Sequence, residues 1–292
     1  MIVYISDRLR RRYRRLAREL QTALHGHKIA LCELSGTNDI WCRDYMPIQR
    51  GDGRLVSYTY NPDYLRRGYC HLITDWKQVR PRLDPTQIIE SGLVLDGGNV
   101  ILMDSAAIMT DKVFAENPER SYGEVETRLR SAFRLNQLII IPTDPADMFG
   151  HADGMVAWAG PRQILMNDYR RVDRRLHREI RNILLKAGME IIPVPYKPDT
   201  TNRNALSARG NYINLLILPQ LVLVPTYNLQ EDQAVLHLIG RILPRHTVVP
   251  IDATGIAKHG GSIHCVTVEW KNRCGSSMKS TPPAVKRCSI PK

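Results

Sequence analysis

Six cysteines in 292 residues, none of them in a C-x-x-C pair, are too few and too scattered for a disulfide scaffold. Nowhere do eighteen apolar residues run uninterrupted. The greasiest region, Ile213 to Pro225, is broken by Asn214, Pro219 and Gln220, so no membrane-spanning helix is expected. A secretory leader is missing as well, because Met1-Ile-Val-Tyr-Ile-Ser runs straight into charge, and a reducing cytoplasm is the expected compartment. Gly and Pro, at 19 and 18, stay near the globular average, with 43% hydrophobic and 24% charged residues. These values exclude a disordered or collagen-like chain and leave a soluble protein with ample material for a core.

Basic charge, by contrast, is plentiful. The formal net charge is +12, and much of the excess lies in Arg8 to Arg18 and Arg170 to Arg181. Such stretches can bind polyanions. Both also carry apolar residues at helical spacing, Leu9, Tyr13, Leu16 and Leu20 in the first and Val172, Leu176, Ile180 and Leu184 in the second. A solvated helix face accounts for that pattern, and no aromatic interleaving points to a nucleic-acid partner.

The same order of elements returns five times along the chain. Helix-like segments cover Asp7–Leu24, Arg66–Val79, Val113–Phe133, Asp168–Ala187 and Glu231–Leu243. Each precedes a β-branched strand, at Ile29–Leu34, Gln87–Glu90, Leu138–Ile141, Glu190–Val194 and His246–Ile251. A polar loop and a hairpin follow in four units, with turns at Arg50-Gly-Asp-Gly, Asp104-Ser-Ala, Gly160-Pro-Arg and Leu218-Pro-Gln. The second arms close on Asn61, Asp111, Asp168 and Asn228, residues suited to cap a following helix. In the fifth unit only Gly261–Trp270 remains, and Ile2–Ser6 from the other end of the chain is the expected partner arm. Units that cannot cover their own apolar faces must pack against one another, and a ring gives each one two neighbours. One domain is expected over 1–270, with a polar, basic tail over 271–292.

Closing the ring brings the polar loops together. Their equivalent residues are Asp44, Asp96, His151 with Asp153, Asn214 and Cys265, the successive units being between 51 and 61 residues apart. A thiol, an imidazole and several carboxylates in one pocket supply a nucleophile, a proton carrier and anionic groups for a cationic substrate. A zinc site is disfavoured by the absence of ligand spacing. A papain-like hydrolase is disfavoured by the lack of a Cys-Gly-Ser-Cys-Trp neighbourhood and by acidic groups where an oxyanion would form.

Five ordered motifs sharpen this reading: Asn38-Asp-Ile-Trp-Cys-Arg-Asp-Tyr-Met-Pro, Leu95-Asp-Gly-Gly-Asn, Gly150-His-Ala-Asp-Gly, Gly210-Asn-Tyr-Ile-Asn and Gly260-Gly-Ser-Ile-His-Cys-Val-Thr. Together they resemble the agmatine deiminase and Porphyromonas-type peptidylarginine deiminase family, over about residues 30 to 270. The resemblance implies an α/β fold, the five-bladed pseudo-symmetric α/β propeller of the guanidino-group-modifying (pentein) superfamily. It further implies Cys265 as nucleophile, His151 as general acid and base, and Asp96 as the group orienting His151. Asp44 and Asp153 become the guanidinium-binding carboxylates, Trp41 a wall for the substrate chain, and Asn214 either a substrate reader or a loop anchor. Neither a metal nor a cofactor is implied. Two departures bear on the pocket: Met46 stands where the family usually has Gly, and Asp96 where it commonly has Glu.

The expected activity is hydrolysis of the guanidino group of a small substrate, agmatine first, through an S-amidino-cysteine. Free arginine, for which Arg203 and Arg209 are candidate carboxylate readers, peptidyl-arginine, and amidino transfer remain alternatives, as does a catalytically silent propeller that binds polyanions. A homo-oligomer is compatible with every one of them. Among the other residues, Arg43 is expected to pair internally with a carboxylate and His264 to face away from the site on a strand. Cys32, Cys42 and Cys70 are expected as apolar fillers, and Cys274 and Cys288 as bystanders in the tail.

Overall fold

The computed structural model describes residues 1–66, 68–81, 83–199 and 206–271. Five three-stranded sheets make up its frame. Four of them consist of an antiparallel hairpin whose second arm pairs in parallel with the next strand: Ile48–Gln49, Leu55–Thr59 and Ile88–Val94; Ile101–Met103, Ala106–Thr110 and Gln137–Ile141; Val156–Gly160, Gln163–Asn167 and Glu190–Val194; Leu216–Leu218, Leu221–Thr226 and Thr247–Asp252. Parallel pairing demands a long crossover. Helices supply it in three of these blades, at Tyr122–Phe133, Arg174–Lys186 and Glu231–Ile242.

The fifth sheet closes the ring as expected from the repeat. Its middle strand, Ile2–Ser6, lies antiparallel to Val268–Trp270 and parallel to Ala30–Leu34, with Ile2 opposite both Trp270 and Ala30. The result is a five-bladed α/β propeller. Its middle strands are the most deeply buried segments, Val3–Ser6, Ala107–Thr110, Ile164–Asn167 and Leu221–Pro225 among them.

Local chemistry decides where the helices run. On Arg174–Lys186 the residues Leu176, Ile180 and Leu184 are buried, and every arginine from Arg170 to Arg181 is exposed, so the basic stretch is a solvated face. Val172, expected on the buried side, precedes this helix and is exposed. The caps come from Asp173, whose carboxylate accepts from the amides of Arg175 and Leu176, and from Ser121 with Glu124 in a reciprocal box. Of the strand-closing residues, Asp168 caps a 3₁₀ turn, whereas Asp111 accepts from Thr143 N on the neighbouring strand's exit.

Three expected helices are interrupted. The first breaks at Tyr13 into Asp7–Arg12 and Arg14–Gly26, and the third breaks at Asn117-Pro118, because proline cannot continue the ladder. The second does not form: around 66–79 the chain makes only 3₁₀ turns, at Asp63–Leu65, Cys70–Leu72 and Trp76–Gln78. Its apolar residues Ile73, Trp76 and Val79 recur every third position, the spacing that a 3₁₀ turn stacks on one face.

Asn117 turns the break into an anchor. Its side chain accepts from Val94 N at 2.9 Å and donates to Val94 O and Val113 O at 2.9 and 2.8 Å. Asn117→Ala strands these buried backbone groups and should cost about 2–3 kcal/mol, measured as a lowered urea midpoint at unchanged m-value.

Candidate active site

Three short turns at one end of the propeller axis meet almost backbone to backbone, and glycines permit it. Cys42–Tyr45 is a single helical turn, Gly97–Asn99 and Ala152–Gly154 are 3₁₀ turns, and the middle one packs on both others. A Cβ on Gly97 would lie 2.0 Å from Arg43 O. On Gly98 it would lie 2.7 Å from Asp44 Oδ1, 2.8 Å from His151 Nδ1 and 3.2 Å from Asp153 Oδ2. The peptide at Gly98 is therefore the floor on which an imidazole and two carboxylates converge, and its N–H donates to Asp44 Oδ1 at 3.0 Å. Composition and turn propensity give Gly98 no more than an ordinary turn; its contacts become visible only in three dimensions.

His151 stands between two carboxylates. Nε2 lies 2.8 Å from Asp96 Oδ2 and Nδ1 lies 3.6 Å from Asp44 Oδ1. Asp96, one methylene shorter than the glutamate common in similar sequences, still reaches the ring. Met46 does not narrow the pocket: it is fully buried in the apolar cluster of Tyr4, Leu34, Tyr45, Leu55, Val79 and Trp270.

Cys265 arrives on a loop rather than a strand, since only Val268–Trp270 of the expected fifth-unit arm is extended. Asn214 moulds this loop, its Oδ1 accepting from Ser262 N at 3.1 Å and Cys265 N at 3.3 Å. Its Nδ2 donates to Cys265 Sγ at 3.0 Å and Asp153 O at 3.3 Å. With both donors and both lone pairs engaged, Asn214 fits the loop-anchor alternative. Cys265 Sγ is also 3.4 Å from Asp153 Oδ2. Trp41 flanks the thiol across Gly261, where a Cβ would meet Trp41 Cζ3 at 2.5 Å and Cys265 Cβ at 3.1 Å.

Burial and charge set the protonation states. Desolvation pushes Asp44 up to about 8 despite the pull of His151. Burial alone would lower His151, but Asp44, Asp96 and Asp153 outweigh it and carry the ring to about 10. Asp153 would rise on burial, yet its bond to His264, with the charges of His264 and His151, holds it below the ordinary carboxylate range. Desolvation, then Asp153 and Asp44, push the Cys265 thiol well above 9. The site thus holds a protonated thiol and an imidazolium, both facing Asp44 and Asp153.

Several neighbours differ from expectation. His264 does not face away by strand alternation, because its segment is not a strand; Nδ1 lies 2.8 Å from Asp153 Oδ2. Arg43 pairs internally, with Glu269, as expected. Cys42 is buried, Cys32 is half-buried, and Cys70 is exposed rather than a filler. Arg203, Cys274, Cys288 and residues 272–292 of the tail lie outside the described residues. Sequence reasoning missed the rim, where Tyr64 and Phe149 stack edge to face at 5.0 Å and bracket His151 at 6.0 and 6.2 Å. A bare Phe in Met148-Phe149-Gly150 signals nothing; the glycine at Gly260, whose Cβ would strike Phe149 at 2.4 Å, is the one sequence trace of that packing.

Among the described residues, no group of three or more His, Cys, Asp or Glu is placed to hold a metal ion, and no helix is long and apolar enough to cross a membrane. Behind Asp153 and His264 lies a cavity of about 200 Å³, lined by residues of the first strand of every blade.

An agmatine deiminase of Ectopseudomonas mendocina is 25% identical, over 84% of this chain and 77% of its own length. The solved agmatine deiminase of C. jejuni superposes with a TM-score of 0.70 at 17% identity, covering 93% of each chain. A DDAH from Pseudomonas aeruginosa, solved in complex with citrulline, shares the fold at TM-score 0.56 and 10% identity, covering 91% of this chain and 98% of its own. The family model for Porphyromonas-type peptidyl-arginine deiminase matches residues 2–270, which is the whole ring, and the chain belongs to that family.

Proposed function

We propose that the chain hydrolyses the guanidino group of a small amine, agmatine in the first place, to a ureido product and ammonia through an S-amidino intermediate on Cys265. The observation that carries this reading is the meeting of Asp44, Asp153 and His151 over Gly98, with the Cys265 thiol 3.4 Å from Asp153. A guanidinium is planar, permanently charged and rich in donors, so two carboxylates can neutralise it and fix its carbon. As it docks, the cation favours the thiolate over the thiol and a proton is released to solvent. Sγ adds to the guanidinium carbon. His151 gives its proton to the departing nitrogen, ammonia leaves, and the amidino group stays on sulfur. Neutral His151 then takes a proton from water as the oxygen attacks, and the C–S bond breaks to release the ureido product. Asp96 keeps the ring oriented through both halves. Trp41, Tyr64 and Phe149 form an aromatic surround suited to a polymethylene chain and a cation.

Free arginine needs a cation for its carboxylate; among the described residues Arg43 is paired with Glu269 and Arg209 is held on Tyr227 O, while Arg203 lies outside them. A decarboxylated guanidino amine makes no such demand. The test is ammonia and ureido product from agmatine, arginine and a blocked arginine peptide, without added metal. Turnover of agmatine at the highest kcat/KM is the expected result. Turnover of arginine or the peptide in its place would reassign the substrate, and no turnover of any would overturn the reading.

Binding should carry a pH signature. Asp44, raised to about 8, holds a proton below that pH, and the guanidinium pairs with its ionised form. KM should therefore fall as pH rises, by at most about tenfold per unit between roughly 6 and 8, and level off above. A flat KM across this window would show that Asp44 is already ionised in the free protein.

A further inference from the structure

His151 is aimed by Asp96, and Asp96 must in turn be aimed by something. Its side chain is fully buried, Oδ2 faces His151, and Oδ1 has no hydrogen-bond partner among the described residues. Burying a charged group is costly unless opposite charge faces it. That charge is on Lys112, a side chain only 8% exposed at the start of the turn Lys112–Ala115. Lys112 Nζ is 3.7 Å from Asp96 Oδ2, 2.9 Å from Glu116 Oε1 and 2.6 Å from Asp63 Oδ1, and it lies 5.4 Å from the centre of the Tyr64 ring.

The cluster is tied to the reacting end of the site from two sides. Thr110, two residues before Lys112, donates through Oγ1 to Gly150 O at 2.6 Å, so strand Ala106–Thr110 sets the position of both Lys112 and His151. Asp63 belongs to the turn that carries Tyr64, the ring packed edge-on against His151. Nothing in the motifs marks Lys112, because its partners are near it in space and, apart from Glu116, distant in sequence.

We propose that Lys112 is a positioning residue of the reaction: its ammonium, facing Asp96 Oδ2, keeps that carboxylate directed at His151, and through Asp63 it fastens the Tyr64 turn over the imidazole. The proposal rests on the deimination reading above. The groups facing Asp96 are His151, Lys112, Glu116, Asp44 and the phenols of Tyr58, Tyr60 and Tyr64. Of these only His151 and Lys112 supply positive charge. Glu116 also faces Lys112, and burial followed by repulsion from Asp96 raises Glu116 to about 8, so near neutrality Glu116 holds a proton. Lys112 itself stays charged: burial would lower it, but Glu116, Asp96 and Asp63 together raise it.

The experiment compares wild type, Lys112→Met and Lys112→Arg by steady-state kinetics across pH, with thermal unfolding alongside. Without the ammonium, the pair of Asp96 and His151 loses the cation that faces it at 3.7 Å. The acid limb of kcat should move up by about one unit in Lys112→Met, with kcat reduced roughly tenfold or more and KM within about twofold. Lys112→Arg should restore the limb. A purely structural ion pair would lower the unfolding temperature and leave the limb in place, and that result overturns the proposal. If Lys112→Met does not fold, Lys112→Gln serves: it keeps a polar group toward Asp63 and Glu116 but removes the charge, so the limb should move as in Lys112→Met, and an unmoved limb is again fatal. A readout independent of turnover separates this idea from the deimination reading. The His151 ring titration followed by NMR must differ between wild type and a folded variant that lacks the Lys112 charge; coincident curves overturn the positioning role even if no guanidino substrate is found.

Discussion

Cys265→Ala should release no measurable ammonia from any guanidino compound that wild type accepts, a loss of roughly 10,000-fold or more. Among the described residues nothing else near the site replaces the sulfur. Of the other described cysteines, Cys42 is buried with its Sγ donating to Val266 O at 3.1 Å, and Cys70 is exposed on a surface turn. The fold should survive, because the thiol contributes only its contacts to Asn214 and Asp153, and Asn214 keeps its bonds to Ser262 N and Asp153 O. The same variant calibrates the thiol. Because burial and the two carboxylates hold Cys265 well above 9, its alkylation by iodoacetamide in the empty enzyme should be slow at neutrality and climb with pH beyond 9. Mass spectrometry of the Cys265 peptide, with Cys265→Ala as blank, checks this. Rapid labelling at pH 7 would mean that the empty site already holds the thiolate.

Gly98→Ala is the second large effect, and it separates catalysis from folding. The backbone there is not in the left-handed region, so alanine is sterically allowed by the chain itself. What it meets is the chemistry: the new Cβ would press on Asp44 Oδ1, His151 Nδ1 and Asp153 Oδ2 together. These atoms are side-chain ends and can withdraw by a few tenths of an ångström, which removes the guanidinium from line with the thiol. A fall in kcat/KM of about 100-fold is expected, with stability changed by about 1–3 kcal/mol. Gly97→Ala is the contrast, since its Cβ would press on Arg43 O, a backbone atom that cannot withdraw alone. That variant should fail as a folded protein before it fails as a catalyst. Wild-type kinetics in Gly98→Ala would mean that the guanidinium binds elsewhere.

The repeat was legible because each unit carries its own local signals. A β-branched run such as Leu138–Ile141 followed by a glycine-marked loop, or a two-residue turn such as Asp104-Ser105, announces itself without knowledge of the fold. Even the seam at Ile2–Ser6 could be inferred, since a fifth unit lacking one arm must find it elsewhere. Cys265, His151, Asp96, Asp44 and Asp153 were legible for a related reason: they occupy equivalent points of successive units, and the structure brings all five together. What stayed hidden depends on geometry that no local pattern encodes. The i+3 spacing of Ile73, Trp76 and Val79 suits an α-helix and a 3₁₀ turn alike, and only the packing of the crossover decides between them. His264 was misplaced because alternation was applied to a segment that Asn214 folds into a loop. Lys112 and Asp63, 49 residues apart, meet only when two blades dock.

The seam has a consequence for how the protein comes into being. Among the strands of the ring, Val268–Trp270 is the last to be synthesised, only three residues behind the nucleophile, while its partner Ile2–Ser6 is the first. Four blades can form during synthesis, domain-like and locally connected, but the thiol joins Asp153 and Asn214 only as the two ends find each other. A growing chain therefore carries carboxylates and an imidazole without a nucleophile, and reactivity begins at the moment the circle shuts.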